Sequence, residues 1–216
     1  MKTALLLVDL QNDFCQGGSL AVSDSGSVIH TANRMIKYCQ QQAIAVIASQ
    51  DWHPENHLSF AVNSATVVSE CGELNGLPQV WWPVHCVQNT QGADFHPGLN
   101  QQAITHIIYK GENPAVDSYS AFYDNDHQRP TALLPWLAAQ NITRLVILGI
   151  ATDYCVKFTV LDALAEGFVV TVITDGCRGV NLQENDSDNA LKEMEKQGAV
   201  LQTCAQFCRT EIGLQI

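Results

Sequence analysis

The chain has 216 residues, 46% hydrophobic and 15% charged, which excludes a disordered or collagen-like polymer and suffices for a full core without disulfide or metal staples. Acidic residues outnumber basic ones 22 to 11, for a net charge of −11, and such a field repels phosphate backbones and anionic lipid, so nucleic acid and membrane are excluded as expected partners. No run approaches the ~18 apolar residues of a membrane span, and eight cysteines without a C-x-x-C pair or an export signal point to a reduced, cytoplasmic protein.

In chain order, Thr3–Val8 reads as a first strand. Asp9 ends its apolar run and no small-residue cleavage site follows, so it is not taken as a signal peptide. Val28–Gln42 carries Val28, Ile29, Ala32, Met35 and Ile36 at helical spacing, and Ala43–Ser49 is a second strand. Residues 51–103, rich in Trp, Pro, Asn and Gly with little periodicity, form a long insertion of the kind that builds or covers a site. His106–Tyr109 is a third strand, Leu133–Gln140 a short helix and Leu145–Gly149 a fourth strand. A helix is predicted over Cys155–Glu166, closed by Gly167, then a strand over Val169–Thr174. Asn189–Gln197 is a helix ended by Gly198, and Val200–Thr203 a weak last strand. This alternation predicts one α/β domain over 1–216, with a doubly wound, mostly parallel sheet.

In such sheets ligands bind beyond the carboxyl ends of the strands. Those ends carry Asp9, then Asp51-Trp52-His53, then Lys110, then Ala151–Cys155. Cys155 follows a strand-to-helix turn with Thr152 or Asp153 as N-cap. A thiol in a first helical turn is favoured as thiolate and has backbone N–H groups nearby for an oxyanion. Asp9, ending a buried strand, is placed to exchange a proton with that thiol while Lys110 balances the charge. Each has a plainer reading: Cys155 as a small buried hydrophobe, Asp9 as a turn cap, Lys110 as a solvated surface lysine. Their convergence on one sheet edge favours chemistry. Asp51 and His53, two apart in an extended segment, point the same way, and with His85 make a carboxylate and two imidazoles suited to a catalytic divalent metal. His57 reads equally as a further ligand, a supporting group or a loop histidine.

These residues lie in blocks that resemble the nicotinamidase/pyrazinamidase branch of the isochorismatase-like cysteine hydrolases. The blocks are ALLLVDLQNDF (4–14), ASQDWHPENHLSF (48–60), WPVHCVQNTQGADFHP (82–97), YKGENPAVDSYSAF (109–122), LGIATDYCVKFTVLDAL (148–164) and VITDGCRGVN (172–181), in family order. The resemblance implies the three-layer α/β/α fold of that family. It also implies a catalytic triad of Asp9, Lys110 and Cys155, and metal ligands Asp51, His53 and His85 holding Zn²⁺, with Mn²⁺ or Fe²⁺ as alternatives. Ala151, preceded in the family by a non-proline cis peptide, would share the oxyanion with Cys155. Phe14, Trp82 and Tyr119 would wall a flat ring. The implied reaction converts nicotinamide to nicotinate and ammonia through a thioester, in NAD salvage, with pyrazinamide a second substrate. Rival readings are another amidase acting on an N-carbamoyl or linear amide, and a non-catalytic module binding pyridine or metal. A dinucleotide reader is excluded because the first strand leads into Asp9-Leu10-Gln11-Asn12, not a Gly-rich turn. The expected partner is a small-molecule substrate, and the sequence does not distinguish a monomer from a homo-oligomer.

Overall fold

The computed structural model describes residues 1–213. In chain order it contains β1 (Thr3–Val8), α1 (Ser25–Gln41), β2 (Ala45–Asp51), β3 (Cys71–Leu74), β4 (Leu77–Val80), β5 (His106–Lys110) and α2 (Leu133–Ala139). There follow β6 (Arg144–Ile150), a π-helical turn (Thr152–Val156), α3 (Lys157–Ala165), β7 (Val169–Arg178), α4 (Asp186–Lys196), β8 (Val200–Gln202) and α5 (Cys204–Gly213).

Six strands form one parallel sheet in the order β5-β2-β1-β6-β7-β8. The chain winds outward from β1 through β2 to β5, then returns to the far side of β1 as β6, so the topological switch lies between β1 and β6. Leu5, Leu6, Leu7 and Val8 in β1 and Leu145–Ile150 in β6 are buried at successive positions. Both sheet faces are therefore covered, which is why these strands read as continuous apolar runs. The helix pairs α1 with α5 and α3 with α4 cover the sheet, each reaching β7 or β8. Among the described residues no helix is long and apolar enough to cross a membrane.

Register sets the site. Val8 pairs with Ser49 on one side and Gly149 on the other, and Asp51 pairs with Lys110. The close approach of β1 and β6 needs Gly149, whose φ is +144° and whose Cβ would meet the Val8 backbone.

The structure departs from the sequence reading in five places. The helix at Cys155 opens as a π turn, with the Val156 N–H donating to the Ala151 carbonyl at 3.0 Å, and α3 begins only at Lys157. Neither Thr152 nor Asp153 caps it; Asp153 instead accepts the Val180 and Asn181 N–H groups at 2.9 and 2.7 Å. β7 runs on to Arg178 because its pairing with β6 shifts between Ile147 and Gly149. Asp175 lies in that irregular stretch and accepts the first N–H of α5, from Cys204, at 2.7 Å. Within 51–103 stands an antiparallel hairpin, β3–β4, absent from the sequence reading, as is α5.

Candidate active site

β1, β2, β5 and β6 end side by side, and their ends deliver Asp9, Asp51, Lys110 and the Ala151–Cys155 turn to one place. Lys110 is the hub. Only 1% exposed, its Nζ lies 2.9 Å from Asp9 Oδ2, 3.4 Å from Cys155 Sγ and 2.9 Å from the Ser118 carbonyl, and it is ion-paired with Asp51 Oδ1. Burial alone would lower its pKa, but Asp51 and Asp9 reverse this and hold the ammonium well above its ordinary range. The surface-lysine reading is thereby excluded.

Asp9, at φ +50°, is fully buried, and its Oδ1 accepts the Ser49 hydroxyl at 2.6 Å. Burial raises its pKa, Lys110 opposes this and Asp51 adds to it. Cys155 is buried, and burial pushes its thiol well above the usual range, against the pull of Lys110. Burial thus opposes the thiolate that a first helical turn favours, beside a carboxylate whose proton affinity is raised. The peptide bond between Ile150 and Ala151 is cis.

Asp51 joins two clusters. While Oδ1 meets Lys110, Oδ2 lies 3.5 Å from His53 Nε2 and 3.7 Å from His85 Nε2. Each imidazole is oriented by its other nitrogen: His53 Nδ1 donates to the Gly111 carbonyl at 2.9 Å and His85 Nδ1 to the Pro83 carbonyl at 2.8 Å. Both Nε2 atoms are directed at one carboxylate oxygen, with ligand atoms of all three residues within 4.8 Å of one another. Backbone carbonyls behind the imidazoles are the support a metal-ligating histidine ordinarily has. The donor set fits a divalent metal. Gly111 is needed here, since at φ +70° it places its carbonyl behind His53 where a Cβ would strike the ring. Burial pushes His57 down to about 4. Its Nδ1 accepts the Ser59 N–H at 3.1 Å, while its Nε2 is buried without a hydrogen-bond partner among the described residues. His57 groups with His53 and Asp117, not with the Asp51 set.

Phe14, Leu20, Trp82, Tyr119, Tyr154 and Val180 line a narrow cavity that also takes in Asp51, His85, Asp117, Ala151 and Cys155. Cys155 therefore opens into the same space as Asp51 and His85, while His53 does not line it. Trp82 stands edge-on to Tyr154, with centroids 4.9 Å apart, and its Nε1 donates to Tyr119 Oη at 3.3 Å.

The sequence reading missed several supporting residues. Gln11 donates to the Asp51 carbonyl at 2.7 Å and accepts the Asp51 N–H at 2.9 Å, and a second bond to the Ala93 carbonyl at 2.9 Å fastens the insertion to the sheet end. Asp13 accepts the Cys86 N–H at 2.7 Å next to His85. Ser49 was findable, since it lies two residues before Asp51 in β2 and so faces the same side. Gln11 and Asp13 act across 40 or more residues and leave no local pattern.

Comparison with known proteins agrees with this geometry. Residues 3–206 match the isochorismatase domain family. The nicotinamidase of Escherichia coli (strain K12) is 57% identical over 208 residues, covering 96% of this chain and 98% of that protein. Among solved structures, a nicotinamidase/pyrazinamidase of Acinetobacter baumanii superposes with a TM-score of 0.90 at 41% identity, covering 95% of this chain and 98% of that one. The pyrazinamidase of Pyrococcus horikoshii in complex with zinc superposes with a TM-score of 0.78 at 35% identity, covering 94% and 99%.

Proposed function

The chain belongs to the isochorismatase family, and from that premise we propose that it hydrolyses nicotinamide to nicotinate and ammonia, with pyrazinamide as a second substrate. The observation that carries the reading is a single cavity where a buried thiol, Cys155, meets Asp51 and His85 of a histidine–carboxylate set between aromatic walls, with Lys110 and Asp9 packed against the thiol. Similarity to nicotinamidases over nearly the whole chain supports the same substrate.

Asp9 takes the Cys155 proton, and the sulfur attacks the carboxamide carbon. Transfer moves a negative charge from the carboxylate to the sulfur, and Lys110 lies within reach of both, so the ammonium stabilises the charge at either end. Unit charges about 4 Å apart interact by about 4 kcal/mol at an effective dielectric near 20, and because Lys110 meets both ends, that attraction is kept as the charge moves instead of being lost. The N–H groups of Ala151 and Cys155 receive the tetrahedral oxyanion. Asp9 returns the proton to the leaving nitrogen, the C–N bond breaks, ammonia departs and a thioester remains on Cys155. Asp9 then takes a proton from water as it attacks the thioester, nicotinate leaves, and the proton returns to the sulfur.

Asp51, His53 and His85 would hold a divalent metal, for which we propose Zn²⁺. When bound, it supplies a Lewis acid that anchors the pyridine nitrogen and withdraws electron density from the ring bearing the amide. Phe14, Trp82 and Tyr119 sandwich that ring and hold the amide at the thiol. We further assign the protein to NAD salvage in the cytoplasm, as the reaction and the free thiols suggest. Ammonia release from nicotinamide by the purified, metal-loaded protein tests the proposal, and its absence with metal bound would overturn it.

A further inference from the structure

The β3–β4 hairpin is exposed along most of its length, yet one side chain turns inward. Gln79 is 4% exposed, and its Nε2 donates to Asp117 Oδ2 at 2.8 Å. A second tie lies at the hairpin tip, where Asn75 Nδ2 donates to the Ala115 carbonyl. Both partners belong to segment 113–119, which the Leu58 N–H also holds through the Pro114 carbonyl at 2.8 Å.

That segment carries one side of the cavity. Asp117 Oδ1 accepts the Ser118 N–H at 2.8 Å, and the Ser118 carbonyl accepts from Lys110 Nζ at 2.9 Å. The next residue is Tyr119, whose hydroxyl accepts from Trp82 Nε1. On the hairpin's side, β4 ends at Val80 and the chain runs on through Trp81 to Trp82 and then His85. The Gln79 amide thus adds a buried tie to the Trp82–Tyr119 hydrogen bond that joins the two halves of the ring slot, although Gln79 does not line the cavity itself.

We propose that Gln79 is a positioning residue: by binding Asp117 it helps set the separation of Trp82 and Tyr119, and so the affinity for a flat aromatic amide, while Lys110, held also by Asp9 and Asp51 outside the segment, keeps its place at Cys155. The inference rests on the amidase reading and adds to it a specificity determinant outside the cavity. A buried amide between two chain segments suits this role, because its loss frees both segments without removing any group that meets the substrate.

The test uses two variants of the full metal-loaded protein. Gln79→Met keeps length and burial but removes the donor, and Gln79→Glu keeps the shape but opposes a carboxylate to Asp117. Both should raise KM for nicotinamide about 10-fold or more, with kcat within about threefold of the parent and metal content unchanged. Amide hydrogen exchange over 113–119 should quicken about 10-fold or more, while β1 and β6 keep their protection. The pair Gln79→Glu/Asp117→Asn exchanges donor and acceptor, and its KM should return to within about threefold of Asp117→Asn alone. Unchanged KM and exchange in Gln79→Met would overturn the proposal. So would a fall in kcat at constant KM, or failure of the exchanged pair to recover. A parent inactive on nicotinamide would sink the amidase reading instead, and hydrogen exchange would still decide whether Gln79 holds the segment.

Discussion

With Lys110 Nζ 2.9 Å from Asp9, ion-paired to Asp51 and 3.4 Å from the Cys155 sulfur, four groups that would each be costly to bury as ions are buried together. The ammonium makes the arrangement tolerable, and its removal leaves two carboxylates facing each other out of water. Lys110→Met should therefore cost about 3–5 kcal/mol in unfolding free energy, read by denaturant titration. It should also slow turnover by about 10²-fold or more. A near-normal rate would remove Lys110 from the chemistry. Cys155→Ala deletes the proposed nucleophile and nothing proposed to grip the ring, so it should abolish turnover while calorimetry still detects nicotinamide. Loss of binding with metal retained would contradict this division of labour.

At the scale of elements, four strand ends and the turns behind them do the placing. Gly111 supplies the carbonyl that orients His53 and has no room for a side chain. Gly111→Ala should weaken metal affinity about 10–100-fold in a chelator competition, with a smaller effect on substrate-independent properties such as helix content. Unchanged affinity would mean that the orienting carbonyl is dispensable. The same strand ends explain how much of the site is legible in the sequence. Asp9, Asp51 and Lys110 each close a β-strand at its carboxyl end, so hydrophobic patterning and chain position are enough to single them out. The π turn is not legible, because five residues are too few to reveal a change of period; reading it as a first helical turn leads to the expected thiolate, which burial opposes. The β3–β4 hairpin is hidden because its strands are four residues each, largely exposed and without alternation, leaving Asn75-Gly76 as the one turn signal. Gln11, Asp117 and Gln79 bond across 38 or more residues, and such pairings have no local signature.

At the scale of the whole molecule, folding stability is tied to protons buried near the site. His57 is held neutral down to about 4, chiefly by burial, whereas an unfolded histidine takes its proton near 6.5. As pH falls below 6.5 the unfolded chain binds a proton that the folded chain refuses, so stability drops until about pH 4, by at most about 3 kcal/mol. The metal-free protein should accordingly melt at a lower temperature at pH 5 than at pH 7, and His57→Gln should flatten that slope. An equally steep slope in the variant would show that His57 is not the group responsible. Function at this scale is the meeting of two clusters, thiol and metal, through the shared Asp51 on one sheet edge. The most direct test of that union is ammonia release from nicotinamide compared with benzamide, which has the same shape but no ring nitrogen. Rapid turnover of nicotinamide with benzamide slower by about 10²-fold or more is expected if one cavity joins metal anchoring to thiol attack. Equal turnover of the two amides would contradict it.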